Sequence, residues 1–92
     1  MGKPEEYVEG YLRRQAKARG FLCLKFTAPG IRGVPDRLLI TPSGTLFVEL
    51  KAEGEKPGPQ QVHRIAEMRA AGAIVHVIDT REGVDALLAS IP

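Results

Sequence analysis

Two short apolar runs, Val34 to Ile40 and Thr45 to Lys51, flank the tetrapeptide Thr41-Pro42-Ser43-Gly44. Proline and glycine stand where a tight turn takes them, so the two runs are expected to pair as an antiparallel hairpin. A hairpin decides which side chains meet, because the start of one strand lies opposite the end of the other. Asp36, in Gly33-Val34-Pro35-Asp36-Arg37, is therefore expected close to Val48-Glu49-Leu50-Lys51. Residues two apart on a strand share a face. Glu49 and Lys51 should project together into one polar space, while Val48 and Leu50, with Leu46 and Phe47, are buried and hold the strand.

The rest of the chain supplies elements to cover this hairpin. Pro4 to Arg19 reads as a first helix, with Pro4 in the opening turn, Glu5 and Glu6 at its positive end, and basic residues toward its close. Gly20 is a suitable stop. At 100° per residue, Val8, Tyr11, Leu12 and Ala16 form one apolar stripe, with Glu5 and Glu9 on its flank and Glu6 pointing outward. Phe21 to Phe26 reads as a first strand. Thr27 to Gly33, with Pro29, Gly30 and Gly33, reads as a loop. Ala52 to Pro59 is a polar connection leading to a second helix, Gln60 to Ala71, which Gly72 closes. Ala73 to Ile78 is nearly continuous in apolar residues, which predicts a strand buried on both faces. Asp79 or Thr80 can cap a last helix running through Leu88. The order αβββαβα predicts an α/β fold, a central mixed sheet flanked by helices.

Ninety-two residues are enough for one domain with one core, spanning 1–92. No apolar run reaches the roughly 18 residues of a membrane span. The polar, acidic start of the chain is not a signal peptide, and an intracellular, cytoplasmic location is expected. Cys23 is alone, so no internal disulfide is expected, and its leucine neighbours suggest a core thiol. The formal net charge is +2, yet residues 1–72 hold 12 Lys and Arg against 8 Asp and Glu, a surplus of +4. That imbalance is compatible with a polyanionic partner.

Two carboxylates and an amine on adjacent strands suit metal-assisted phosphodiester hydrolysis. Acidic oxygens hold a hard cation such as Mg²⁺ or Mn²⁺, and the amine positions water. An ordinary surface ion pair between Lys51 and one carboxylate is the competing account. Zinc is not expected, because His63 and His76 lack partners at ligand spacing. Neither a Ser-His-Asp constellation nor a P-loop is present; Gly30 to Gly33 has the wrong pattern and no following helix. Arg32, Arg37, Lys25 and Lys56 surround the proposed site in sequence and are candidate phosphate contacts. The aromatics are few and read as core, so single-strand stacking is not favoured.

The stretches Gly33-Val34-Pro35-Asp36-Arg37, Leu46-Phe47-Val48-Glu49-Leu50-Lys51-Ala52 and Pro59-Gln60-Gln61 resemble the PD-(D/E)xK nuclease superfamily, whose core is restriction-endonuclease-like. More narrowly they resemble its virus-type replication-repair nuclease (VRR-NUC) domains, in the compact stand-alone form of phages and prophages. The likeness runs from Glu5 to Leu88. It implies a Mg²⁺- or Mn²⁺-dependent DNA endonuclease in which Asp36, Glu49 and the backbone carbonyl of Leu50 bind metal. Lys51 would orient water or stabilise developing charge. A first-helix glutamate, Glu9 or one turn earlier Glu5, would complete the site, with Gln61 at the second helix. A homodimer cutting four-way (Holliday) junctions in DNA repair is implied. A flap or nicking nuclease, or a non-catalytic DNA-binding subunit with the same fold, are the alternatives.

Overall fold

A computed structural model describes residues 2–92. Its elements are α1 (Glu5–Ala18), β1 (Leu22–Lys25), β2 (Arg37–Thr41), β3 (Gly44–Leu50), α2 (Pro59–Ala70), β4 (Val75–Ile78) and α3 (Arg81–Ala89). The four strands form one sheet in the order β1-β2-β3-β4. The first three are antiparallel. β4 runs parallel to β3, which a tight turn cannot achieve; α2 supplies the crossover. The expected element order and mixed sheet are both found, with strand ends displaced by a few residues. β2 starts at Arg37 rather than Val34, because Pro35 cannot donate to a ladder. Thr80 caps α3, its hydroxyl accepting from the Gly83 N–H at 2.9 Å.

The core lies between one sheet face and the pair α1 and α3. Val8, Leu12 and Ala16 of α1 meet Leu39, Leu46, Val48 and Leu50 of the sheet and Val84, Leu87 and Leu88 of α3. The Arg81 guanidinium lies 3.9 Å from the Tyr7 ring centroid, and the Tyr11 hydroxyl donates to Asp85 at 2.7 Å, closing the outer seam between the two helices.

The opposite sheet face is covered only in part. α2 packs near β4 and buries Ile65. Phe47 belongs to this face, not to the main core; it meets Phe26 edge-on with centroids 5.1 Å apart. Leu22, Leu24 and Ile40 point the same way and remain exposed. β4 is not buried on both faces throughout, since Val77 is exposed beside buried Val75 and Ile78. Cys23 is half-buried against the core on edge strand β1. No helix is long and apolar enough to cross a membrane.

Candidate active site

The hairpin register sets the site. Arg37 pairs with Val48, which puts Asp36 across from Glu49, on the sheet face that α2 overlies. The loop before Asp36 is seated on α2 through Gly33. Its φ is +82°, and a Cβ there would come within 2.7 Å of the Gln60 carbonyl. Only glycine permits both that backbone and that approach. Arg64 Nε donates to the Arg32 carbonyl at 3.0 Å and fastens the same loop.

Asp36 is anchored by one oxygen. Its Oδ2 accepts from the Leu50 N–H at 2.9 Å, in place of a ladder bond. Main-chain bonds from Phe47 N to Ile74 O and from Lys51 N to Ile78 O direct alternate residues of β3 toward β4. Leu50 therefore turns its amide, and with it its carbonyl, toward β2. Continued past the end of β2, the register would set Pro35 opposite Leu50. Proline has no N–H to give that carbonyl. The Pro-Asp pair thus frees one main-chain acceptor and places one carboxylate beside it.

Glu49 is the most unusual side chain in the molecule. It is only 1% exposed. Its Oε2 accepts from Gln61 Nε2 at 2.7 Å and lies 3.5 Å from Lys51 Nζ. Its Oε1 has no partner, although it is fully buried. Burial, followed by the charge of Asp36, pushes the Glu49 carboxyl up to about 7; Lys51 opposes that shift. Burying a carboxylate with an unmatched oxygen is costly, and an adjacent positive charge would offset that cost. Lys51 supplies only part of that.

Gln61 is a bridge. While its amide donates to Glu49, its Oε1 accepts from the Gly58 N–H at 3.0 Å, tying the start of α2 to the end of β3. The two glutamates of α1 have different surroundings. Glu9 Oε2 is 3.0 Å from Arg37 Nε, on the α1 side of the sheet. The Glu5 carboxyl is raised above its ordinary value by burial and then by the charge of Asp36, with Lys51 lowering it. Glu5 thus senses the charges of Asp36 and Lys51, while Glu9 is held by Arg37.

The remaining sequence candidates divide. Arg37, expected as a phosphate contact, is occupied by Glu9 and largely buried, its side chain 13% exposed. Lys25 pairs in register with Arg37 and stands on that same side of the sheet. Arg32 and Lys56 are exposed in the loops before β2 and α2.

Among the described residues, no three His, Cys, Asp or Glu side chains gather closely enough to enclose an ion. Two carboxylates and a main-chain carbonyl leave room for several waters. Mg²⁺ favours such a half-open oxygen set, and the unmatched Oε1 of Glu49 fits it.

A mixed four-stranded sheet carrying Asp36, Glu49 and Lys51 at the mouth of its central hairpin defines the PD-(D/E)xK class of nuclease folds. The comparisons narrow it. A solved structure described as a VRR_NUC domain superposes with a TM-score of 0.89 at 34% identity, over 98% of this chain and 99% of that one. A protein of Acyrthosiphon pisum secondary endosymbiont phage 1, named "Putative nuclease p44", is 43% identical over 79 residues, 85% of each chain. No family model matches the sequence. The chain belongs to the VRR-NUC family of nucleases.

Proposed function

We propose that the chain is a divalent-metal-dependent endodeoxyribonuclease that hydrolyses phosphodiester bonds in branched DNA, four-way junctions foremost, as a homodimer. The buried Glu49 carboxyl carries this reading, because nothing in the fold otherwise repays an unmatched oxygen at that depth. Asp36, Glu49 and the Leu50 carbonyl would hold Mg²⁺ or Mn²⁺, with a glutamate of α1, Glu9 or Glu5, completing the site. Bound there, the ion would polarise the phosphate and lower the pKa of an attacking water. The protein's own groups do the rest. Gln61 fixes one Glu49 oxygen and leaves the other without a partner. Lys51, 3.5 Å from Oε2, is placed to orient water and to stabilise charge developing on the phosphate. Arg32 and Lys56 would meet flanking phosphates.

The dimer is supported by the uncovered sheet face. Leu22 faces Ile40 in register and Leu24 follows on the same side, with exposures of 53%, 37% and 42%. Two copies joined about a two-fold axis would cover this surface and present two sites to two symmetric strands.

The test is cleavage of labelled duplex, flap and four-way junction DNA in Mg²⁺, Mn²⁺ or chelator. Metal-dependent cutting, strongest on the junction, is expected. Undiminished cutting in excess chelator would overturn the mechanism; a flap preferred over the junction would overturn the substrate.

A further inference from the structure

α1 carries a second basic feature well away from Asp36 and Glu49. A cleft of about 550 Å³ opens between the later turns of α1 and the start of β1, bordered by Gly10, Arg13, Arg14, Lys17 and Cys23. No carboxylate lines it. At 100° per residue, Gly10, Arg13, Arg14 and Lys17 fall within one stripe about 100° wide, alongside the buried Val8–Leu12–Ala16 stripe. All three cations are exposed. Among the described residues the ion pairs are Arg37–Glu9, Lys51–Glu49 and Arg64–Glu67. Arg69 is bonded to the Val75 carbonyl, and Arg81 stacks on Tyr7. Arg13, Arg14 and Lys17 have no such neutralising carboxylate.

Gly10 adds an independent observation. A glycine inside a helix destabilises it relative to alanine, and α1 has an ordinary helical backbone here, without positive φ. A Cβ at this position would lie 3.1 Å from Arg14 Nη1. The Arg14 guanidinium thus lies close over the bare backbone of Gly10, and a larger side chain there would have to displace it.

We propose that this cleft is a second nucleic-acid contact, in which Arg13, Arg14 and Lys17 grip the sugar-phosphate backbone of the DNA whose cleavage is proposed above. The helix relates the two places. Glu5 stands at the Asp36 end of α1, and Arg13 to Lys17 lie about 12 to 18 Å further along the axis. At 3.4 Å per phosphate along a strand, this is roughly four to five base steps. A guanidinium pair plus a lysine matches phosphate oxygens without reading bases, so the cleft would set the placement of an arm rather than its sequence.

The inference rests on the nuclease reading but has its own test. In chelator, anisotropy of a labelled duplex gives affinity and its salt slope without cleavage. The Arg13→Glu, Arg14→Glu, Lys17→Glu triple variant is expected to weaken binding at least about tenfold and to flatten the log–log salt slope by about 2 to 3. Gly10→Leu should weaken binding while its melting temperature stays level or rises. Saturating duplex should also slow maleimide modification of Cys23, the sole cysteine, in the unmodified protein. This last readout needs no substitution. Unchanged affinity and slope in the triple variant would overturn the cleft, as would equal Cys23 modification with and without DNA. Absence of salt-dependent duplex binding by the unmodified protein would overturn the DNA reading and the cleft with it. Binding that Asp36→Asn leaves intact, with Asp36→Asn cutting normally, would overturn the active site alone.

Discussion

Gln61 Nε2 donates to Glu49 Oε2 over 2.7 Å, so the first turn of α2 decides how the deepest carboxylate of the sheet is turned. The same side chain receives the Gly58 N–H, which orients its amide without ambiguity: oxygen to the helix start, nitrogen to Glu49. Gln61→Leu keeps the volume and removes both bonds. Cleavage should fall about 10- to 100-fold, chiefly through weaker metal affinity, as for other residues that orient a ligand. Raising Mg²⁺ should restore much of the loss. A merely structural Gln61 would give a stability loss that added metal does not repair.

Asp36, Glu49 and Lys51 separate chemistry from binding. Asp36→Asn and Glu49→Gln are each expected to lower cleavage at least about a hundredfold while duplex affinity in chelator is kept. Lys51→Ala should abolish cleavage with metal affinity nearly unchanged. Single-turnover rates beside metal titrations check this. Glu49→Gln cutting like the unmodified protein would return Glu49–Lys51 to an ordinary ion pair.

The hairpin was legible because Pro42 to Gly44 leave one register, and that register alone brings Asp36 opposite Glu49. Other features depended on side chains that no local pattern specifies. Glu5 and Glu9 lie 40° apart around α1, so periodicity puts both on the same flank. What distinguishes them is Arg37, which takes Glu9 at 3.0 Å. The same pairing engages the Nε of Arg37 and leaves its side chain only 13% exposed. Phe47 was misread as main core because it is apolar among Leu46 and Val48, although strict alternation puts it with Glu49. The depth of Glu49 was hidden for a related reason: a carboxylate on a half-covered sheet face reads as solvent-facing until α2 and Gln61 are in place.

The two helix glutamates give a direct comparison. Glu5→Gln should reduce cleavage severalfold or more with little change in melting temperature, since its carboxyl responds to Asp36 and Lys51. Glu9→Gln should leave turnover closer to normal but cost about 1–2 kcal/mol of stability, by depriving the mostly buried Arg37 guanidinium of its charge partner. Thermal melts and cleavage rates measured on both variants decide it. A larger activity loss in Glu9→Gln would assign the site to Glu9 rather than Glu5.

Stability should depend on pH in a direction set by Glu49. Its carboxyl is pushed up to about 7 from an ordinary 4.5, first by burial and then by Asp36. Between those values the folded protein holds a proton that the unfolded chain has released. The contribution is fully present below about pH 4.5 and is lost as pH rises through about 7, up to roughly 3 kcal/mol in metal-free protein. Glu49→Gln should remove this component, so the difference between the two pH–stability curves isolates it. Mg²⁺ should bind more tightly as pH rises through the same window, because ligation displaces the proton. A flat difference curve in chelator would refute the raised carboxyl.

The uncovered sheet face makes the dimer testable without reference to cleavage. Leu22, Leu24 and Ile40 present adjacent apolar side chains on an edge of the sheet, and desolvating such a patch favours association. Leu24→Lys with Ile40→Lys should convert a dimer to a monomer in sedimentation while the melting transition stays cooperative, since neither residue belongs to the main core. The monomeric variant should keep any metal affinity and nick one strand of a junction at a time, whereas the proposed dimer would make two symmetric cuts within one binding event. Affinity for junctions should fall more than affinity for a linear duplex, because only the junction engages both copies. A monomer in the unmodified protein at working concentration, cutting junction and linear duplex equally, would refute the dimer and the junction preference while leaving Asp36, Glu49 and Lys51 in their proposed roles.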